Sequence, residues 1–124
     1  MSPAVLMRLY EAAANAHDLE AMLNLIADDA LFLFSDGTAH FGKDAIRKAI
    51  QANFDAIGDE IYRISNLTWL GHSETIAVCV YAFEWSGTVG GKHGSGAGRG
   101  TAVLRRIDGD WRVAHEHLSR GGLQ

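Results

Sequence analysis

The first part of the chain has apolar residues at helical spacing. Ser2-Pro3 is typical of a helix start, because serine caps the first turn and proline fits its first position. The first stripe consists of Leu6, Leu9, Tyr10 and Ala13. A second stripe follows Asp18 and ends at Asp28-Asp29; it consists of Leu19, Met22, Leu23 and Ile26. A third apolar stripe lies between Gly42 and Gly58, so the pattern predicts three helices.

Strand-like segments separated by turn residues make up the rest. Residues 30–35 are apolar on both faces, which is typical of a buried strand, and Asp36-Gly37 indicates a hairpin turn into residues 38–41. Four further strands are predicted over residues 61–70, 75–86, 99–107 and 111–119. Seven of the 14 glycines lie in residues 87–100, which we interpret as a flexible hairpin tip. Helices followed by a meander predict an α+β domain with the helices on one face of the sheet.

Composition narrows the class of protein. With 124 residues, 48% of them hydrophobic and 21% charged, the chain can form one domain with a real core. Its formal net charge of -4 argues against a nucleic-acid partner. Cys79 is the only cysteine, which excludes an intrachain disulfide and a four-cysteine zinc site. We see no signal-peptide pattern and no apolar stretch of membrane-spanning length, so we expect a cytoplasmic protein without a membrane partner.

Six short motifs occur in an order and spacing that resemble a known superfamily. They are Tyr10-x4-Asn15-x-His17-Asp18-Leu19, Ala27-Asp28-Asp29-Ala30, Phe41-Gly42-Lys43-Asp44-Ala45-Ile46, Gly98-Arg99-Gly100-Thr101, Asp108-Gly109-Asp110-Trp111-Arg112-Val113 and His115-Glu116-His117-Leu118-Ser119. Together they resemble the nuclear transport factor 2-like superfamily, which includes ketosteroid isomerases and SnoaL-type polyketide cyclases. The resemblance covers nearly the whole chain. It implies one SnoaL-like domain over residues 1–124, with a cone-shaped, bent antiparallel sheet capped on one face by three N-terminal helices, a cystatin-like α+β barrel.

The same resemblance bears on the chemistry. Aligned on Ala30, Tyr10 takes the position of the isomerases' oxyanion tyrosine, and Phe34 takes that of their catalytic aspartate. A phenylalanine cannot accept a proton, so the isomerase reaction is not expected in its known form. The family's pocket positions on the last strands match Ala102 and Leu118. The related kinase association domain has arginines at these positions and at Tyr81, and their absence here argues against a carboxylate ligand.

Strand alternation and turn positions predict which residues face the pocket. A turn over residues 71–74 pairs Asn66 with Cys79, and a three-residue loop over residues 108–110 pairs Ala102 with Glu116. In addition to Tyr10 and Glu116, the predicted pocket residues are Phe34, Ile46, Phe54, Tyr62, Asn66, Tyr81, Phe83, Ala102, Leu104 and Leu118.

Glu116 is the sharpest chemical candidate. A carboxyl group inside an apolar pocket has a raised pKa and can act as an acid or a base. The alternative is a glutamate at the pocket mouth paired with Arg99 or Arg112. His115 and His117 share one strand face, as metal ligands can, but no third ligand is evident, so we expect no metal and no cofactor.

Two classes of function remain open. One is an isomerase-, cyclase- or hydratase-like enzyme that acts by acid/base chemistry on a small apolar or cyclic organic molecule. The other is a non-catalytic ligand-binding or dimerisation module. We further expect a homodimer through the outer sheet face, because the helices can cover only one face. The residues assigned to that face are Leu67, Trp69, Ile76, Val78, Val80, Ala82, Thr101, Val103, Trp111, Val113, His115 and His117.

Overall fold

Three helices lie where the apolar stripes predict them. In this computed structural model, which describes residues 1–122, they are α1 (Pro3–Asn15), α2 (Leu19–Asn24) and α3 (Lys43–Ala56). The Ser2 side chain accepts a hydrogen bond from the Val5 backbone N–H at 3.2 Å, and Asp18 caps α2 in the same way. The last two residues of the predicted 1–124 domain lie outside the described part of the chain.

Six strands form one curved, unclosed sheet. They are β1 (Ile26–Leu33), β2 (Ala39–Phe41), β3 (Gly58–His72), β4 (Ile76–Val89), β5 (Lys92–Ile107) and β6 (Asp110–Arg120). Their spatial order is β2-β1-β6-β5-β4-β3, and every neighbouring pair is antiparallel except the parallel pair β1 and β6. The α+β prediction, with N-terminal helices on a bent, mostly antiparallel sheet, is therefore confirmed.

The end of the second helix differs from the prediction. We expected helix as far as Asp28-Asp29, but α2 has only six residues, and Ile26 already belongs to β1. Ile26 is opposite Val113 in the parallel ladder, and the Val113 N–H donates to the Leu25 carbonyl oxygen at 2.8 Å. Pairing with β6 therefore outweighs the helical spacing of the sequence, as tertiary context often does.

The position of the β3–β4 turn, together with bulges in β3, overturns the predicted register between these strands. The ladder ends at the His72–Ala77 pair instead of before a turn at residues 71–74, so Trp69, and not Asn66, is opposite Cys79. One bulge lies between Ser65 and Thr68 and another between Trp69 and Gly71. Asn66 occupies the first bulge with φ 53° and is exposed. The predicted placement of Asn66 in the pocket is wrong for this reason.

The same bulges change the composition of the outer sheet face. Leu67 and Trp69 pack against the core, and a bulge in β6 at Ala114 directs Trp111 and Val113 inward as well. The assignment of these four residues to the outer face is therefore wrong. Val78, Val80, Ala82, Thr101, Val103 and His115 remain half-buried on the outer face.

The glycine-rich segment forms regular paired strands. The β4–β5 ladder continues to the Val89–Lys92 pair, and Gly90-Gly91, with φ of 59° and 80°, forms a two-residue turn. Our interpretation of residues 87–100 as a flexible tip is corrected accordingly. Three glycines of this segment, Gly96, Gly98 and Gly100, have a packing role in one wall of the cavity described next.

Candidate functional site

Three aromatic side chains of β4 lie across three glycines of β5. Tyr81, Phe83 and Trp85 are directly opposite Gly100, Gly98 and Gly96 in the ladder. A Cβ atom at any of these glycines would lie 2.4–2.6 Å from an atom of the opposite ring. Only glycine leaves room for the rings to lie over the β5 backbone. This arrangement forms an aromatic inner wall on the sheet.

A cavity of about 290 Å³ lies between this wall and the helices. Its volume is at the small end of the range for ligand pockets, roughly 300–1,000 Å³, so it suits a small molecule. Six of the lining residues are aromatic, namely Tyr10, Phe34, Phe54, Tyr62, Phe83 and Trp85. The other lining residues are Ala14, Met22, Ser35, Asp36, Ile50, Asn53, Ile57, Glu60, Glu116 and Leu118.

Glu116 brings a buried carboxyl group to this cavity. The predicted pairing of Ala102 with Glu116 is confirmed, and it directs the glutamate side chain to the inner face, where the residue is 3% exposed. The Tyr81 hydroxyl donates a hydrogen bond to Glu116 Oε2 at 3.0 Å. Neither alternative partner contacts it: Arg99 donates to Ser119 and Gly122, and Arg112 pairs with Asp110.

Burial sets the protonation behaviour of Glu116. Loss of hydration raises its pKa from an ordinary value of 4.5 to about 7, while the hydroxyls of Tyr81 and Tyr10 oppose the shift as hydrogen-bond donors to the charged form. Burial, followed by the charge of Glu116, raises the pKa of both tyrosines well above their usual range. The tyrosines therefore remain protonated donors at neutral pH, while Glu116 exists in both forms. We call Glu116, Tyr10 and Tyr81 the Glu116 cluster.

A second carboxyl group in the cavity wall has a different environment. Glu60 Oε1 lies 2.8 Å from His17 Nε2, and the side chains of Glu60 and His17 are 11% and 27% exposed. The His17 ring stacks on Phe54 with centroids 4.2 Å apart. We call Glu60 and His17 the Glu60–His17 pair. Sequence reasoning did not identify it, because the two residues are 43 positions apart and no local pattern joins them.

Asn15 fixes this corner to the sheet. Its side chain donates to the Tyr62 carbonyl oxygen and accepts from the Tyr62 N–H, each at 2.7 Å. These two bonds hold the α1–α2 junction against β3 and place His17, with φ 52°, beside Glu60. The motif residues Asn15 and His17 thus position one wall of the cavity.

The other predicted pocket residues fall into two groups. Phe34, Phe54, Tyr62, Phe83 and Leu118 line the cavity. Four are fully buried and do not line it, namely Ile46, Tyr81, Ala102 and Leu104. Tyr81 nevertheless reaches the site through its bond to Glu116. The other three belong to the hydrophobic core: Ala102 and Leu104 point inward from β5, and Ile46 is a buried residue of α3.

No metal-binding geometry occurs within residues 1–122, where no three His, Cys, Asp or Glu side chains converge. The rings of His115 and His117 are 6.3 Å apart, and His115 Nδ1 lies 2.7 Å from the Leu31 carbonyl oxygen. Across the same described part of the chain, no helix has the length and apolar character to span a membrane.

Comparison with solved structures identifies the same fold in other proteins. A ketosteroid isomerase-like protein from Erwinia carotovora atroseptica is 24% identical, with TM-score 0.81 and coverage of 94% of this chain and 92% of that chain. A proposed scytalone dehydratase from Novosphingobium aromaticivorans is 18% identical, with TM-score 0.86 and coverage of 95% and 80%. A nuclear transport factor 2-like protein from Salmonella enterica serovar Typhimurium is 15% identical, with TM-score 0.85 and coverage of 94% and 87%.

The family assignment comes from the sequence profile. No curated protein matches the chain. The profile of the SnoaL-like domain matches residues 4–121, which is nearly the whole chain. The chain belongs to the SnoaL-like domain family, within the nuclear transport factor 2-like superfamily.

Proposed function

We propose that this protein is an acid/base enzyme that acts on a small cyclic organic molecule, with Glu116 as the group that moves the proton. One observation carries the proposal: a carboxyl group that is 3% exposed, with a pKa of about 7, faces a cavity with aromatic walls. A catalytic group works best when its pKa is near the working pH, because both of its forms are then available. Strongly shifted carboxyl groups in cavities are candidates for this role.

The elementary step would be proton transfer at carbon. Ionised Glu116 would accept a proton from a carbon next to a carbonyl group and then return it to the same molecule at another atom. Isomerisation, cyclisation and elimination of water can all begin with this step. Tyr10, which lines the cavity beside Glu116, would donate a hydrogen bond to the oxygen on which negative charge develops. Tyr81, which bonds to Glu116 itself, would orient the carboxylate.

The position of the base supports this assignment of roles. Phe34, directly after β1, lines the cavity at the position where the isomerases that the sequence resembles have their catalytic aspartate. Glu116 projects from β6 and gives the cavity a carboxyl group despite that phenylalanine. The names of two structural neighbours, a ketosteroid isomerase-like protein and a proposed scytalone dehydratase, are compatible with this type of chemistry.

Deuterium incorporation tests the proposal without knowledge of the substrate. A panel of cyclic ketones and 1,3-diketones would be incubated with the protein in D₂O at pH 7.5, and loss of the α-proton signals followed by ¹H NMR. We expect exchange above the buffer rate for at least one compound and a decrease of about 10²–10⁴-fold in Glu116→Gln. Glu74→Gln is the matched control, because Glu74 is exposed in the β3–β4 turn.

Two results would contradict the proposal. One is exchange that Glu116→Gln leaves unchanged, and the other is absence of exchange for every compound that binds. Binding without exchange would support the alternative function, a non-catalytic ligand-binding module. The apolar majority of the cavity lining is the observation that favours this alternative.

The proposal extends to assembly and location. The outer sheet face carries Val78, Val80, Ala82 and Val103, all half-buried, and the helices pack on the opposite face. A second copy of this chain would cover these side chains across a two-fold axis. Sedimentation at micromolar concentration should give a dimer, and a monomer would refute this part.

The proposed location is the cytoplasm. The single, free Cys79 is compatible with this reducing compartment.

A further inference from the structure

The charged groups that line the cavity are all acidic. They are Asp36, Glu60 and Glu116, and no Lys, Arg or His side chain of residues 1–122 lines the cavity. Hydrogen bonds from Thr38 lower the pKa of Asp36, so this carboxyl group is ionised at neutral pH. The cavity therefore has a negative potential, which disfavours anionic ligands and favours cations.

Glu116 is the carboxyl group whose charge has no cationic partner. Glu60 has His17 at 2.8 Å, and Asp36 is exposed to water. The groups that act on Glu116 are neutral hydroxyls, those of Tyr81 and Tyr10. An ionised carboxylate that is 3% exposed normally has a counter-ion, because hydroxyls alone replace only part of its lost hydration. A cationic ligand bound in the cavity would supply the missing positive charge.

The aromatic walls suit the same type of ligand. Tyr62 and Phe83 are neighbours on adjacent strands, with ring centroids 6.1 Å apart and ring planes tilted by 30°. Trp85 continues the wall from its position opposite Tyr62 in the ladder. A cation placed over the faces of such rings is attracted by their quadrupoles, most strongly over tryptophan. Aromatic rings together with a carboxylate are the usual means by which proteins bind organic ammonium groups.

We infer that the ligand of this cavity is a small ring compound that carries an organic cation, a protonated amine or a quaternary ammonium group, with Glu116 as its counter-ion. The inference rests on the proposed function only in that the same cavity is the ligand site. It specifies a positive charge on the ligand, which the expectation of a small apolar or cyclic organic molecule from the sequence did not include.

Three compounds with one ring system and different charges test this inference. They are 2-aminoindane as the cation, 2-indanol as the neutral analogue and indane-2-carboxylate as the anion, each titrated by calorimetry at pH 8, where Glu116 is mostly ionised. We expect the amine to bind about tenfold more tightly than the alcohol, and the carboxylate to bind most weakly. In Glu116→Gln the preference for the amine should largely disappear while 2-indanol still binds.

Retained 2-indanol binding shows that the variant is folded and its cavity open. Glu74→Gln has the same change in net charge and should retain the preference, which excludes a general effect of the acidic surface. The inference is overturned if the carboxylate binds as tightly as the amine, if Glu116→Gln retains the full preference, or if none of the three compounds binds. Proton exchange without amine preference would refute this inference alone, whereas amine preference without exchange would refute catalysis alone.

Discussion

Two of the carboxyl groups that line the cavity, those of Glu116 and Glu60, have different environments. Glu116 is 3% exposed and has only tyrosine hydroxyls as hydrogen-bond partners, whereas the Glu60 side chain is hydrogen-bonded to the ring of His17, which is partly open to water. Burial without a cation raises the pKa of Glu116 to about 7. The difference shows that an unpaired, desolvated carboxyl group can titrate near neutral pH even where another carboxyl group of the same cavity has a partner.

The largest expected effect of this difference is on stability as a function of pH. Between pH 4.5 and about 7 the unfolded chain has released the Glu116 proton while the folded chain retains it. The folded state therefore loses stability as the pH rises through this window, by about 3 kcal/mol in total, since each pKa unit corresponds to about 1.4 kcal/mol. The variant Glu116→Gln has no carboxyl group at this position, so its folded state does not lose stability in this way.

Urea unfolding of both proteins at pH 4 to 8 measures the effect. The free energy of unfolding of Glu116→Gln should increase relative to the wild type across the window, so that the variant is the more stable protein at pH 8. Glu74→Gln should show no such trend, because Glu74 is exposed. A constant difference between wild type and Glu116→Gln from pH 4 to 8 would mean that Glu116 titrates alike in the folded and unfolded states.

A smaller effect is expected at the wall that supports the Glu116 cluster. In Gly100→Ala the new Cβ atom would lie 2.6 Å from Tyr81 Cζ and 2.8 Å from its hydroxyl oxygen, so the ring must move. We expect a loss of about 1–3 kcal/mol in the free energy of unfolding. Gly71→Ala is the control, because no atom lies within 4 Å of its Cβ position. Equal stability of the two variants would refute the packing role of Gly100.

β-Bulges limit how much of the strand register can be predicted from the sequence. The Ala102–Glu116 pair was predicted from a three-residue loop, whereas the structure has the two-residue turn Asp108-Gly109 and a bulge at Ala114. The shorter turn and the bulge shift the register in opposite directions and cancel each other. The predicted pair is therefore right, although the predicted turn is not. In β3 the turn lies further along the chain than predicted and Asn66 itself occupies a bulge, so it lies outside the cavity. Bulges depend on packing across the sheet, which strand alternation does not encode.

Contacts distant in the chain explain the other limits of prediction. Apolar periodicity located all three helices because each buries one stripe against the sheet. The glycines of β5 suggested flexibility, since the sequence alone does not show that Gly96, Gly98 and Gly100 are each opposite an aromatic residue of β4. Likewise, the Glu60–His17 pair joins the α1–α2 junction to β3, beside the bonds of Asn15 to Tyr62, and no local pattern in the sequence indicates this contact.

The smallest expected effect is a change in the pKa of Glu116 when Tyr81 loses its hydroxyl. Tyr81→Phe removes a donor that favours the charged carboxylate, so the pKa should rise by about one further unit. His17→Gln alters the other pair and should leave the pKa of Glu116 unchanged. A lower pKa in Tyr81→Phe, or an equal response to both substitutions, would contradict the separation of the two environments.

The proposed function depends on the raised pKa of Glu116, and NMR measures this pKa directly. With glutamate ¹³C-labelled at the side-chain carboxyl group, the Glu116 resonance is identified by its absence from Glu116→Gln and followed from pH 3 to 9. We predict a midpoint near 7 for this resonance. A midpoint near the ordinary value of 4.5 would contradict the claim and remove Glu116 as the acid/base group of this protein.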